Sequence, residues 1–140
     1  MVIVSTAILA LLSSVPAWAG KQAADECLKT KIWDRYGDGW QIRASAGSDL
    51  ALGETQYYRV TLLKGQRYQV ITCSDDNVAD LDILLYDNKG VLIHRDGTED
   101  REPVLAYEAP TTGVYYAVLY MRALKNTDQA AHASMALIHN

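Results

Sequence analysis

Two aspartates set two residues apart, Asp80 and Asp82, open the stretch DLDILLYD that ends at Asp87. Residues i and i+2 of a strand share a face, so these carboxylates lie close enough to repel unless something positive sits between them. A calcium ion is one answer, with Asp75, Asp76 and Asn77 of the preceding loop as further oxygen ligands. The other needs no metal: one carboxylate accepts backbone N–H bonds from a turn and its neighbour pairs with Arg95 or Arg101. The second is preferred, because nothing here has the fixed ligand spacing of a calcium loop. No cofactor is therefore expected, and Asp80 and Asp82 are the calcium candidates.

The remaining chemistry is sparse. His132 and His139 are seven apart, so on one regular strand they face opposite ways and do not share a metal. His94, beside Arg95 and Asp96, reads as solvated. There is no GxSxG, HExxH, P-loop or GxGxxG motif, and aspartates two residues apart are a poor match to the carboxylates that flank a scissile sugar bond. A non-catalytic protein is expected. Nine tyrosines and no phenylalanine suggest a sandwich filled by rings with hydroxyls at its rim. Trp40 and Tyr57 are candidates for an exposed platform that stacks on a sugar or a protein strand.

The elements that must position these groups are mostly strands. Leu81, Ile83 and Leu85 alternate with Asp82 and Leu84, a period of two. Residues 57–63 and 67–73 alternate likewise around Lys64-Gly65-Gln66 and are read as a hairpin. Asn88-Lys89-Gly90 turns the chain into a strand over 91–95, and further strands are expected over 103–107, 114–121 and 131–138. Residues 114–121 are apolar at both parities and are read as a central strand covered on both faces. Leu28, Ile32 and Tyr36 recur at helical spacing over 24–36 with Gly37 as the stop, and 41–53 reads as loop or a short edge strand.

At 140 residues one domain is expected. Residues 1–19 carry no charge, and the apolar run ends at Ala17-Trp18-Ala19, a small-x-small site, so a signal peptide cleaved before Gly20 is expected. An uncleaved membrane anchor is the alternative, disfavoured because Ser5, Thr6, Ser13, Ser14 and Pro16 dilute the run; no stable membrane anchor is expected after cleavage. Export would place Cys27 and Cys73 where pairing is favoured over two buried free thiols. The net charge is −4, and residues 75–102 hold nine acidic against three basic residues. That excludes nucleic acid as the partner, which requires clustered Lys and Arg.

Tyr57-Tyr58-Arg59-Val60-Thr61-Leu62, Gly65, Asp80-Leu81-Asp82-Ile83-Leu84-Leu85-Tyr86-Asp87 and Ala109-Pro110 with Gly113-Val114-Tyr115-Tyr116-Ala117-Val118 together resemble the bacterial pre-peptidase C-terminal (PPC) domain family. The resemblance runs from Glu54 to Ala136. It implies an all-β, jelly-roll-like antiparallel β-sandwich, related to collagen-binding domains, some of which bind calcium through an N-terminal arm. Such domains usually follow a secreted enzyme, whereas here only a leader and a short helical arm precede it. The expected organisation is a signal peptide over 1–19, an arm over 20–53 and the sandwich over 54–140, with arm and sandwich packed as one domain. The expected function is a periplasmic or secreted binding module for an extracellular or periplasmic protein or polysaccharide. The alternative is an accessory domain that aids secretion or stability of an exported enzyme.

Overall fold

The computed structural model describes residues 17–140; most of the expected leader lies outside the described residues. One helix, α1 (Ala17–Gly37), precedes eight strands: β1 (Gln41–Leu50), β2 (Thr55–Leu62), β3 (Arg67–Ser74), β4 (Val78–Asp87), β5 (Leu92–Asp96), β6 (Val104–Glu108), β7 (Gly113–Leu124) and β8 (Ala131–His139). They form two four-stranded sheets, ordered β1-β8-β3-β6 and β2-β7-β4-β5, with every pair antiparallel. The pairs are nested: β1 with β8, β2 with β7, β3 with β6, β4 with β5. The chain is thus one long ribbon, folded at its tip and rolled up into a jelly roll.

The tip is the turn between β4 and β5. Asp87 Oδ1 accepts the N–H groups of Lys89 and Val91, both at 2.9 Å, and Gly90 takes φ +78°, a left-handed value that a side chain would strain. The hairpin expected over 57–73 does not form. β2 and β3 lie in opposite sheets, and the turn at Lys64-Gly65-Gln66 carries the chain across the core. Val60 and Leu62 then meet Tyr68 and Val70 face to face in one apolar cluster. Alternation reports that each strand buries one side; it is silent on whether the two lie side by side or across a core.

That cluster fills the space between the sheets, with Leu81, Ile83 and Leu85 of β4, Ala117, Leu119 and Met121 of β7, and Met135 and Leu137 of β8. A second cluster lies outside the first sheet, where Leu28, Ile32 and Trp40 cover Ile71, Cys73, Ala136 and Ile138. Here α1 packs on β8, β3 and β1, and the Cys27–Cys73 disulfide ties it down. The helix runs beyond the expected 24–36, and Tyr36 is 63% exposed rather than part of the buried stripe. The stripe is Ala24, Leu28 and Ile32, and the chain reverses at Gly39, where φ is +89°.

Two more expectations change. The segment read as loop, 41–53, contains the ten-residue β1, an edge strand that buries only Leu50 and owes its form to pairing with β8. The sandwich therefore begins at Gln41 rather than at residue 54. The doubly covered strand is β8, buried from Ala131 to Ile138 between core and helix. β7 is central but covered on one face only.

Candidate functional site

Asp80 and Asp82 lie on the outer face of β4, in the sheet without the helix. Irregular pairing flanks Asp80, between Val78 and Asp80 and again between Asp80 and Leu81. The Asp82 side chain is 1% exposed, with Oδ2 3.5 Å from Arg95 Nη2. Oδ1 of Asp80 and Oδ1 of Asp82 are buried with no hydrogen-bond partner among the described residues. Burial pushes the Asp82 carboxyl above its ordinary range, and the charge of Asp80 adds to this against the pull of Arg95 and Arg122.

The loop oxygens expected to join a calcium site are engaged elsewhere. Asp75 accepts the N–H groups of Asn77 and His132, both at 2.8 Å. The Asn77 amide donates to the carbonyls of Asn126 and Gln129 and accepts the N–H of Asn126. Arg101 reaches the carbonyls of Ser74 and Asp75 and lies 3.5 Å from Asp76. Two carboxylates beside an arginine are fewer than the roughly six to eight oxygens that calcium takes.

Trp40 and Tyr57 are not brought together. Trp40 is half-buried against the second cluster, beneath the Arg67 guanidinium, 5.8 Å from its ring centre. Tyr57 is 65% exposed on β2, in the opposite sheet. The expected platform of these two rings is corrected: Trp40 belongs to the helix-covered side, and Tyr57 to a different surface.

That surface is the outer face of β2-β7-β4-β5. Strand register lays it out in rows. Tyr57, Val118, Leu84 and Arg95 form one, and Arg59, Tyr116, Tyr86 and Leu92 the next. Tyr120 stands between Thr55 and Asp82, with Arg122 5.9 Å from its ring centre. Tyr57 and Tyr116 meet edge to face at 6.0 Å. Tyr57 and Leu92 are exposed, and Leu84, Tyr86, Tyr116, Val118 and Tyr120 are half-exposed. Among the described residues nothing covers them. The two rows and Tyr120 hold tyrosine, arginine and aliphatic groups, with no lysine and no glutamate. This is the composition of interface centres, which are rich in aromatics and Arg and poor in Lys and Glu. Sequence reading passed over Tyr116, Val118 and Tyr120 because apolar residues at both parities of β7 signalled burial on both sides; Arg122 at the same parity was the contrary signal.

Two antiparallel sheets, one outer face closed by a disulfide-tethered helix and the other bare, define a β-sandwich module. Residues 54–120, from the approach to β2 through Tyr120 of β7, match the family model of the bacterial pre-peptidase C-terminal domain. The match leaves out α1, β1 and β8. The fold is similar to that of PliG, a periplasmic lysozyme inhibitor of g-type lysozyme from Aeromonas hydrophila, with a TM-score of 0.50 at 16% identity over 69% of this chain and 85% of that one. A glycosylation-associated protein (Gap123) complex from Streptococcus agalactiae matches with a TM-score of 0.40 at 13% identity, over 75% of this chain and 40% of that one. No curated protein matches the chain by sequence.

Proposed function

We propose that the chain is an exported, non-catalytic module that docks a protein through the bare face of β2-β7-β4-β5. The observation that carries this is the contrast between the two sheets. The first sheet's outer face is sealed by Leu28, Ile32 and Trp40, whereas the second leaves Tyr57, Tyr116, Tyr120, Val118 and Leu84 open to solvent beside Arg59, Arg95 and Arg122. Arginines around apolar rings, on a chain whose net charge is −4, fit an acidic protein surface that presents apolar groups of its own. Export is supported by the leader expected over 1–19 and by the Cys27–Cys73 bridge, which persists in oxidising compartments. Among the described residues no helix is long and apolar enough to cross a membrane. A protein partner is also in keeping with the similar fold of a lysozyme inhibitor.

The test is capture of partners by the oxidised chain from residue 20 onward, compared with a Tyr57→Ala/Tyr116→Ala variant shown to keep its fold. A g-type lysozyme is one defined probe and a glycan array another. A partner held by the wild type and lost by the variant supports the reading. Binding that survives the variant, or glycan binding without protein binding, overturns it.

A further inference from the structure

β1 ends the sheet β1-β8-β3-β6, so one of its sides bonds β8 and among the described residues nothing pairs with the other. It is the longest of the edge strands, ten residues against eight in β2 and five each in β5 and β6. Short length, lysine, proline and irregular pairing are the usual devices that keep an edge from templating another strand. β1 has no lysine and no proline, and its one irregularity falls near its start, between Ile42 and Ala44. From Ala44 to Leu50 the pairing with β8 is unbroken, which leaves a regular row of backbone N–H and C=O groups facing outward. The side chains along that row, from Ala44 to Ser48, are too small to hold an incoming strand away. α1 packs chiefly over β8 and β3, and an open groove lined by Lys21, Asp25, Leu28, Ile32 and Ser45 runs between it and β1. The helix therefore does not roof the edge.

The order of charges along β1 selects the occupant. Two copies related by a twofold axis pair such edges antiparallel, and residues set opposite each other share a face, so the axis passes through a residue position rather than between two. Centred on Ala46, the pairing sets Arg43 against Asp49 of the second copy, Ala44 against Ser48 and Ser45 against Gly47, each of these twice. Moving the axis by one residue sets Arg43 against Gly47 or Ala51 instead, and centring it on Arg43 or Asp49 brings like charges together. Opposite charges directly across a strand pair are favourable and like charges are not. Both groups are available. Arg43 is exposed and has no acidic partner among the described residues. Asp49 holds His132 Nδ1 through Oδ1 at 2.7 Å, and its side chain is 67% exposed, which leaves Oδ2 for a cation. β2 offers no such match, since Arg59 is its only charge.

We propose that a second copy of this chain pairs with β1, antiparallel and centred on Ala46, joining the two β1-β8-β3-β6 sheets into one continuous sheet with both helices on the same side. The pairing adds backbone hydrogen bonds and two Arg43–Asp49 ion pairs but buries little apolar surface, so a dimer with a Kd on the order of 100 µM is expected. It leaves the bare face of β2-β7-β4-β5 free, and self-association is separate from the docking of a partner there.

The test is sedimentation equilibrium of the untagged, oxidised chain from residue 20 onward, loaded from about 10 µM to about 1 mM at low salt, with hydrogen–deuterium exchange at both ends of that range. The wild type is expected to pass from monomer to dimer and to slow the exchange of amides in 44–48 as it does so. Arg43→Glu sets like charges against each other twice and is expected to raise the dimer Kd by about tenfold or more. Asp49→Lys alone should do the same. An equimolar mixture of the two variants should recover the association, because each then carries the charge that the other lacks. Arg43 is exposed, so its variant keeps the fold even if Asp49→Lys, which gives up His132, does not; the melt of each variant checks this. A wild type that stays monomeric at the top of the range, a Kd unchanged in Arg43→Glu, or an association that protects the bare face instead of β1 and is lost in Tyr57→Ala/Tyr116→Ala overturns the proposal.

Discussion

Reducing the Cys27–Cys73 bridge should lower the stability of the whole domain while leaving α1 docked. The bridge closes a loop with a sequence separation of 46, and on the chain-entropy model its loss costs about 4 kcal/mol at 25 °C. That cost falls on the global transition only if other contacts hold the helix, and the structure supplies them. Leu28 is 5% exposed, Lys31 Nζ bonds Glu102 Oε2 at 2.8 Å and the Thr72 carbonyl at 2.9 Å, and Asp25 holds Ser134. From Gly20 onward the only tryptophans are Trp33 and Trp40, on and just after the helix, so fluorescence reports on the arm and far-UV circular dichroism on the sheets. Urea unfolding with and without reductant should show coincident transitions by both probes in both states. An m-value of about 2 kcal/mol/M makes the expected drop in midpoint roughly 2 M urea. A fluorescence transition that runs ahead of the dichroism after reduction would show that the bond alone holds the helix. An unchanged midpoint would refute the entropic argument.

On the bare face, Tyr57→Ala should shift stability by no more than about 0.5 kcal/mol, whereas Leu119→Ala, one position along on β7's buried side, should cost about 2–5 kcal/mol in the same urea experiment. Asp82 should make the fold weaker as pH rises. Its contribution is fully present below the unfolded-state pKa and is lost as pH climbs through the raised folded-state value, because the native state must then carry a buried charge that the unfolded chain solvates. Melting curves between about pH 4 and 8 should therefore fall less steeply in Asp82→Asn than in the wild type; parallel curves would contradict this. Asp75→Ala leaves the N–H groups of Asn77 and His132 without their acceptor and should cost about 1–3 kcal/mol, read from the shift in Tm. Millimolar calcium or EDTA should leave the melt unchanged; a calcium-dependent rise lost in Asp80→Asn/Asp82→Asn would place a calcium site on β4.

Much of the fold was legible because the signals are local. Alternation at Leu81, Ile83 and Leu85 and the turn at Asn88-Lys89-Gly90 each depend on residues adjacent in the chain. The strand signal failed at β1, whose Ser45, Gly47 and Ser48 bury little and which becomes a strand only by pairing with β8. It failed differently at 57–73, where both strands were found but their pairing was misjudged. A tight turn between alternating segments fits a hairpin and a crossing equally well, and the choice lies with β7 and β8, which sit more than 40 residues further along the chain and take β2 and β3 into separate sheets.

The candidate site shows the same division. Asp80, Asp82 and Tyr57 could be singled out from residue type and spacing, but their roles depend on what the roll sets against them: Arg95 beside Asp82, and for Tyr57 the rows of β7 and β4. Trp40 could not be told from Tyr57 by sequence, since an aromatic residue near a turn is equally suited to a covered or an open face. The contacts of His132 with Asp25 and Asp49 have no local signature at all, because His132 and Asp49 are 83 residues apart. By itself the sequence determined that this is a mostly β chain with a helical arm, since burial of alternate residues is written into each strand, and its motifs carry the resemblance to the pre-peptidase C-terminal domain over residues 54–120. Only the tertiary structure decided which sheet the helix closes and which stays bare. That depends on where Leu28, Cys27 and Ile32 find apolar partners, and the Cys27–Cys73 bond and the small residues of β8 put those partners on the first sheet.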